Sequence, residues 1–407
     1  VKRSFLFLVA AATGLIATTY GLVRLAYGLY LPNVQDDLGL STGAAGLIAA
    51  LASVVYCLGA ACGFLLSDRH PRTLVLLAGA TAALGCVGMA VGGDAGAFGF
   101  GAVLSSAGAG LASPAVVELI RRHAPGDLLD RAQSVANAGT GPGLIVAGSL
   151  ASLLLPLWRA GWWIAAGLAV LATTLVLAAD SWSSGARTTV RGRTGPTAGS
   201  AARRVPGVPP RQWRAAHRRP FAVALLLGIG SAAVWSYGRS LLVELGADDR
   251  ASTVAWIALG VGGAAVLATS RWLVARRIGA AWAVTGGAVA VATIALPSVG
   301  THPTTTGAVC AVFGWGYTAA SGVLITWTGR IDPERSGSGT AALFVTLVLG
   351  QAIGAAGWGA LTGPVGHPAT FGLAAAVAAV AVLVGARAVP TDAARAAGPG
   401  HAGGGPA

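Results

Sequence analysis

Charge is what this chain has least of. Among 407 residues, 27 are Lys or Arg and 14 are Asp or Glu, a charged fraction of 10%. A typical soluble domain carries about 25%, so these side chains are too few to cover a water-exposed surface. Cysteine is also scarce. Cys57, Cys62, Cys86 and Cys310 all lie inside apolar runs, with no metal-ligand spacing or disulfide framework, and read as small packing residues. Acids and histidines are missing near the midpoints of the long apolar runs. That leaves no evident proton carrier at membrane depth and none of the clustered acids, His or Cys that a membrane-embedded enzyme needs. The phosphate-cradling pattern Gly-x-x-x-x-Gly-Lys-Ser/Thr does not occur, which excludes ATP as the direct energy source. Neither the central polar segment nor the tail is composed like the soluble output domain of a sensor. No cofactor and no metal is expected, and the chain is not read as an enzyme.

What is there instead is a succession of apolar stretches of ~20 residues, the length that crosses a hydrocarbon core of about 30 Å as a helix. They fall at 5–30, 42–66, 73–92, 98–119, 132–155, 161–179, 220–243, 252–270, 280–297, 306–328, 340–362 and 370–387. Only helices or closed barrels satisfy their backbone in lipid, and alternating barrel strands are not seen. The expected fold is therefore an all-α integral membrane protein of twelve transmembrane helices. The 61 glycines fit helices that approach closely in lipid. The basic start followed by an apolar run resembles a signal peptide, but the run is too long, and it is read as a retained first helix.

The formal charge of +13 could suggest nucleic acid, but its placement argues against that. With the N-terminus in the cytoplasm, every basic residue except Arg24, Arg159, Arg239 and Arg250 falls on the cytoplasmic side, as the positive-inside rule requires. The expected location is the cell membrane, with both termini cytoplasmic.

Residues 180–219 are rich in Gly, Pro, Ser and Arg and read as a basic cytoplasmic linker between two six-helix bundles, 1–179 and 220–387; residues 388–407 read as a disordered tail. The bundles look like copies. Gly108, Ser113, Arg122 and Pro125 recur as Gly316, Ser321, Arg330 and Pro333 at an offset of 208, the pair Asp68-Arg69 maps onto Arg276-Arg277, and Tyr27-Gly28 onto Tyr237-Gly238 at 210. Such duplication is a transporter design.

The connection after span two reads Phe64-Leu65-Leu66-Ser67-Asp68-Arg69-His70-Pro71-Arg72. It resembles the loop motif Gly-X-Leu-Ala-Asp-Arg-X-Gly-Arg of the major facilitator superfamily, matching at Leu66, Asp68, Arg69 and Arg72, with Gly displaced to Gly63 and Pro71 in place of the second Gly. In the second half the corresponding loop keeps Arg277 and Gly279 but has Arg276 where the acid would be. Span one, Tyr20-Gly-Leu-Val-Arg24-Leu-Ala-Tyr27-Gly28-Leu-Tyr-Leu-Pro32, is similar to a bacterial branch of permeases with an Arg in helix one. Span five, Arg131-Ala-Gln-Ser-Val-Ala-Asn137-Ala-Gly139-Thr140-Gly141-Pro142, is similar to the Gly-Pro motif of proton-coupled exporters without its following Gly-Gly. The resemblance covers nearly the whole chain. It implies two pseudo-symmetric bundles that rock about a central site, and a latch role for Asp68 against span eleven and the bases Arg121, Arg122 or Arg131. Glu118 would join that network.

Arg24 is the sharpest single residue. Facing lipid it would cost about 2.5 kcal/mol or more, so a cavity-facing position is expected; the alternative is an Arg tied to carbonyls or a neighbouring helix. Tyr20, Arg24 and Tyr27 share one helical face at i, i+4, i+7. Arg239, with Trp235 one turn before it, lies at similar depth in span seven and either lines the cavity or snorkels to the outer end. Asn137 in span five and Gln351 in span eleven are amides at membrane depth that either hold helices together or orient a substrate. The expected function is secondary transport of a small organic molecule by alternating access. Export by proton antiport is preferred, and uptake or exchange of an organic anion held by Arg24 is the alternative. The expected partners are that substrate, protons in the antiport case, and the bilayer, with a monomer sufficing.

Overall fold

The computed structural model describes residues 2–124, 128–191, 211–299 and 302–386. Helices dominate, and no strand occurs among the described residues. The first crossing is built of α1 (Lys2–Ile16), a π-helical segment (Ala17–Arg24) and α2 (Tyr27–Leu38). Then follow α3 (Thr42–Leu66), α4 (Pro71–Val91) and α5 (Ala95–His123). The fifth crossing is broken into α6 (Leu129–Asn137) and α7 (Thr140–Leu154), and α8 (Trp158–Arg191) is the sixth. The second half runs through α9 (Arg211–Glu244), α10 (Asp249–Val274), α11 (Ile278–Ala295) and α12 (Pro303–Ile331). Its last element, α13 (Ser336–Ala386), bends sharply at Gly366, where φ is 79° and ψ 164°. Ten described helices are individually long and apolar enough to cross a membrane. With the broken fifth crossing added and the bent α13 counted as two, there are twelve crossings.

The helix ends follow local chemistry. Asp94 caps α5 by accepting from the amides of Gly96 and Ala97, at 2.8 and 2.9 Å. Ser41 and Asp248 cap α3 and α10 in the same way. Pro71 and Pro303 open α4 and α12 at a position where the missing N–H costs nothing. Gly39, in the left-handed region at φ 62°, closes α2. The break between α6 and α7 has its cause in Pro142, which donates no hydrogen bond and whose ring crowds the Ala138 carbonyl one turn back.

The outside is apolar, and inside it small residues bring helices together around buried aromatics such as Trp162, Trp256 and Trp282. Leu153, Leu65 and Phe100 are exposed at 81%, 72% and 71%, as side chains facing lipid are. Internal duplication shows in the packing. A Cβ on Gly108 of α5 would lie 2.5 Å from the Ala78 carbonyl of α4, and one on its repeat mate Gly316 of α12 would lie 2.9 Å from the Thr285 carbonyl of α11. The same two positions thus bring equivalent helix pairs together. The halves meet along two related seams, α3 with α13 and α7 with α10.

Crossings one to twelve place Lys2 and Ala386 at one end, here the terminal face; the turns at 38–42, 92–95, 154–158 and 244–249 mark the far face. Two expectations are corrected. The polar segment 180–219 is not wholly a linker, because α8 continues to Arg191 and α9 begins at Arg211; charged residues extend these helices beyond the apolar runs. Asp180, assigned to that linker, is buried against His123 and Arg72. The linker centre at 192–210, Pro125 of the repeat and the tail 388–407 lie outside the described residues.

Candidate substrate site

The first crossing loses its α-helical register just where Arg24 stands. Thr18 and Thr19 direct their hydroxyls back to the Gly14 and Leu15 carbonyls, at 2.9 and 2.8 Å, a habit that bends helices. Gly21 packs so close to Gly143 that a Cβ there would lie 2.7 Å from its Cα. The Leu25 amide then donates to the Tyr20 carbonyl, 3.1 Å away, a π-type bond of the kind found at functional sites.

This segment delivers Arg24 to a cavity of about 50 Å³ between the halves. Its Nη2 donates to Ser53 Oγ of α3 and to Gln351 Oε1 of α13, both at 3.2 Å. Gln351 is held in turn, its Nε2 donating to the Tyr317 hydroxyl at 2.9 Å. The guanidinium lies 5.2 Å from the Tyr20 ring centre and 4.7 Å from that of Tyr56, cation–π distances worth about 0.5–2 kcal/mol each. Arg24 Nε is buried and has no hydrogen-bond partner among the described residues. Among the described residues, Arg24 is also the one charged residue of the cavity lining.

Of the residues singled out from sequence, the structure brings Arg24, Tyr20, Tyr27, Trp235 and Gln351 to this region. Tyr27 lines the cavity while its hydroxyl donates to the Ala45 carbonyl at 2.8 Å. Trp235 lines it from the other half and packs edge-on to Tyr317 and Phe313. Asn137 is not in the cavity; it is exposed, and its Oδ1 accepts from Ser113 at 3.3 Å.

Arg239 is also placed elsewhere, neither in the cavity nor at a wet end. Fully buried, it donates to the Leu29 carbonyl at 2.7 Å and Asn33 Oδ1 at 2.6 Å across the halves. Within its own half it donates to Ser252 at 3.0 Å and pairs with Asp249 at 2.5 Å. The reason is local: the turn between α9 and α10 folds Asp249 back onto α9, giving the guanidinium a counter-ion without reaching water. Asp249, Asn33, Ser53 and Tyr56 were not prominent in sequence. A Ser, an Asn or a Tyr on a helix that is apolar all round has no periodic signal.

Near Arg239 the halves come closest. A Cβ on Gly28 would collide with the Trp235 carbonyl, and one on Gly46 with the Tyr237 hydroxyl and the Ala355 carbonyl. Among the described residues, the hydrogen bonds and ion pairs that join the halves lie between the Cys57–Val345 contact and the far face. The far face is thus the sealed end.

At the terminal face, Glu118 is buried and takes Arg121 and Arg122 at 2.7 and 2.8 Å. Arg122 also donates to the Asp68 carbonyl at 2.6 Å, and the exposed Asp68 carboxylate lies 3.9 Å from Arg121. This network stays within the first half. Arg72 pairs with Asp180 at 3.1 Å, and Arg69 stands in the same turn. The Arg131 side chain lies outside the described ones. Gly141 and Pro142 open α7, where a Cβ on Gly141 would sit 3.4 Å from the Gly260 carbonyl of α10, in the seam between halves.

Twelve crossings, two repeated bundles and a cavity between them define a multi-pass membrane transporter of the secondary type. The family model of the Major Facilitator Superfamily matches residues 7–355, and the chain belongs to that superfamily. Similar solved structures include a nucleoside transporter, NupG, at 13% identity and TM-score 0.69, covering 94% of this chain and 98% of that one. A POT family transporter in complex with 5-aminolevulinic acid gives 12% identity and TM-score 0.73, with 94% and 95% coverage. A D-xylose–proton symporter gives 16% and 0.70, with 95% and 98% coverage. At these identities the likeness is one of fold. Comparison with curated protein sequences finds no match.

Proposed function

We propose that this protein carries a small organic molecule bearing an anionic group across the cell membrane by alternating access, with Arg24 as the group's counter-charge. One observation carries the reading. Arg24 lines the cavity, its hydrogen-bond acceptors Ser53 and Gln351 are neutral, and its Nε is unpartnered among the described residues. A guanidinium without a carboxylate at membrane depth suits a substrate anion that can pair with it bidentately. Tyr20, Tyr27, Trp235 and Gln351 would shape the rest of the site.

The basic residues Lys2, Arg3, Arg69, Arg72, Arg276 and Arg277 all stand at the terminal face, which supports placing that face in the cytoplasm. Asp68, with Arg121 and Arg122, would form the latch there, engaging the other half when the terminal face closes. A single chain holds both halves, so a monomer suffices. Export by proton antiport rests on the Gly141–Pro142 element, whose packing in the seam serves either direction. The cation in the cavity supports an anionic substrate and is compatible with uptake, exchange or export.

The test is binding of organic anions by purified wild type and Arg24→Ala. Arg24→Ala is expected to lose binding while the folded protein is retained; equal binding by the two proteins removes Arg24 from the site. Uptake into inside-out and right-side-out vesicles, with and without a pH gradient, then reads direction and coupling.

A further inference from the structure

The lining of the cavity restricts the substrate further than "anion", and this inference rests on the proposed role of Arg24. Among the described residues, the lining carries one positive charge and no negative one. The remaining polar groups are neutral: the hydroxyls of Ser53, Ser105, Ser106 and Ser236 and the Gln351 amide. The rest is Val23, Leu25, Gly28, Met89, alanine and the aromatic side chains of Tyr27 and Trp235. Asp36, Asp37 and Asp249 stand at the far-face ends of α2 and α10, and Asp68 and Glu118 at the terminal end.

In such a site one anionic group finds one partner. A second carboxylate would be stripped of water with no cation to meet it, and a substrate ammonium would find no carboxylate. Both carry a penalty that a monoanion escapes. The body of the substrate meets apolar and aromatic walls. Trp235, wedged against Phe313 and Tyr317, has a buried indole Nε1 with no acceptor among the described residues. It is a second donor in reach of a ring-bearing substrate.

Gln351 adds the last element. Its amide is anchored through Nε2 to Tyr317, and that turns Oε1 toward Arg24. The carbonyl oxygen stands where an oxygen of the anion would sit, contributed by the half opposite Arg24.

We propose that the substrate is an organic monoanion with an apolar, ring-bearing body, and that Gln351 Oε1 holds the place of its anionic oxygen while the site is empty. A carboxylate at position 351 would therefore neutralise Arg24 from within and exclude the substrate.

The experiment is equilibrium binding to the purified full chain, read by tryptophan fluorescence and by thermal shift. The monoanion probes are benzoate, cinnamate and 2-naphthoate, three lengths of one chemistry. The comparison probes are terephthalate, phenylalanine and benzamide. At least one monoanion is expected to bind about tenfold or more tightly than all three comparisons. Gln351→Glu is expected to abolish that binding with an unchanged melting temperature, and Gln351→Ala to retain it. Terephthalate or phenylalanine binding as tightly as the best monoanion overturns the proposal, as does failure of all three monoanions to bind. So does wild-type affinity in a folded Gln351→Glu protein. Binding of terephthalate or phenylalanine that Arg24→Gln removes would overturn the monoanion class and leave the role of Arg24 standing. Monoanion binding that survives Arg24→Gln would overturn that role itself.

Discussion

Arg24 and Gln351 are joined across the two halves, Nη2 of the first donating to Oε1 of the second at 3.2 Å. The bond couples the halves at the cavity and is itself set by Tyr317, whose hydroxyl accepts from Gln351 Nε2 at 2.9 Å. Tyr317→Phe removes that acceptor and leaves a buried amide donor unmade, a loss of about 1–3 kcal/mol. The melting temperature is expected to fall, with the aromatic packing against Phe313 and substrate binding both retained, as for Gln351→Ala. Melting curves and ligand titration of the variant check this; an unchanged melting temperature would show that Gln351 needs no anchor.

The far-face seal depends on a buried cation. Arg239 spends four groups of hydrogen bonds on the closed arrangement, two of them across the halves. Asp249→Asn deprives it of its counter-ion. Complete burial of both partners would make the loss about 3–5 kcal/mol, but the Asp249 side chain is 44% exposed, so about 1–3 kcal/mol is expected. The closed far face should lose population by about tenfold. Gly46→Ala should act in the same direction by pure sterics, since a Cβ there meets the Tyr237 hydroxyl and Ala355 carbonyl, whereas Gly14→Ala, with nothing within 4 Å, should be silent. Spin-label distances between α2 and α9 at the far face measure both effects; unaltered distances in both variants would place the seal elsewhere.

At the terminal face Asp68 and Glu118 share Arg121 and Arg122 but differ in exposure. Asp68 is exposed, while Glu118 is buried with Arg121 and Arg122. Asp68→Asn is therefore expected to slow turnover more than it weakens binding, with little change in stability. Glu118→Gln should lower the melting temperature as well, because two arginines lose their shared carboxylate. Transport rates and melting curves of the two variants test the difference; turnover unchanged in Asp68→Asn would refute its latch role.

The number of crossings was legible because a hydrocarbon core demands uninterrupted apolar length, and the repeat because Gly108 and Gly316 serve the same helix approach in each half. Arg24 was legible as a lone cation in an apolar run. Two of its partners were legible as well, Tyr20 from its spacing and Gln351 as an amide at membrane depth. Ser53 and Tyr56 were not, because they lie far from it in sequence on a helix with no polar face to mark them. The π-helical turn before Arg24 arises from threonine back-bonding and from Gly21 against Gly143, a tertiary contact. Arg239 had the same look as Arg24, and only the return of Asp249 onto α9 tells them apart. Asp180 was read as linker because composition counts charge, and burial beside His123 is invisible to it.

Access to the cavity is the most direct reading of how the halves work. A single cysteine at the lining position Ser106→Cys, in a background without Cys57, Cys62, Cys86 and Cys310, can be labelled with a membrane-impermeant maleimide. The label is applied to the two faces separately, in right-side-out and in inside-out vesicles. Alternating access predicts labelling from each face, with bound ligand protecting against both. Labelling from one face only under every condition, including Asp249→Asn and Gly46→Ala, would contradict a site that opens to both sides.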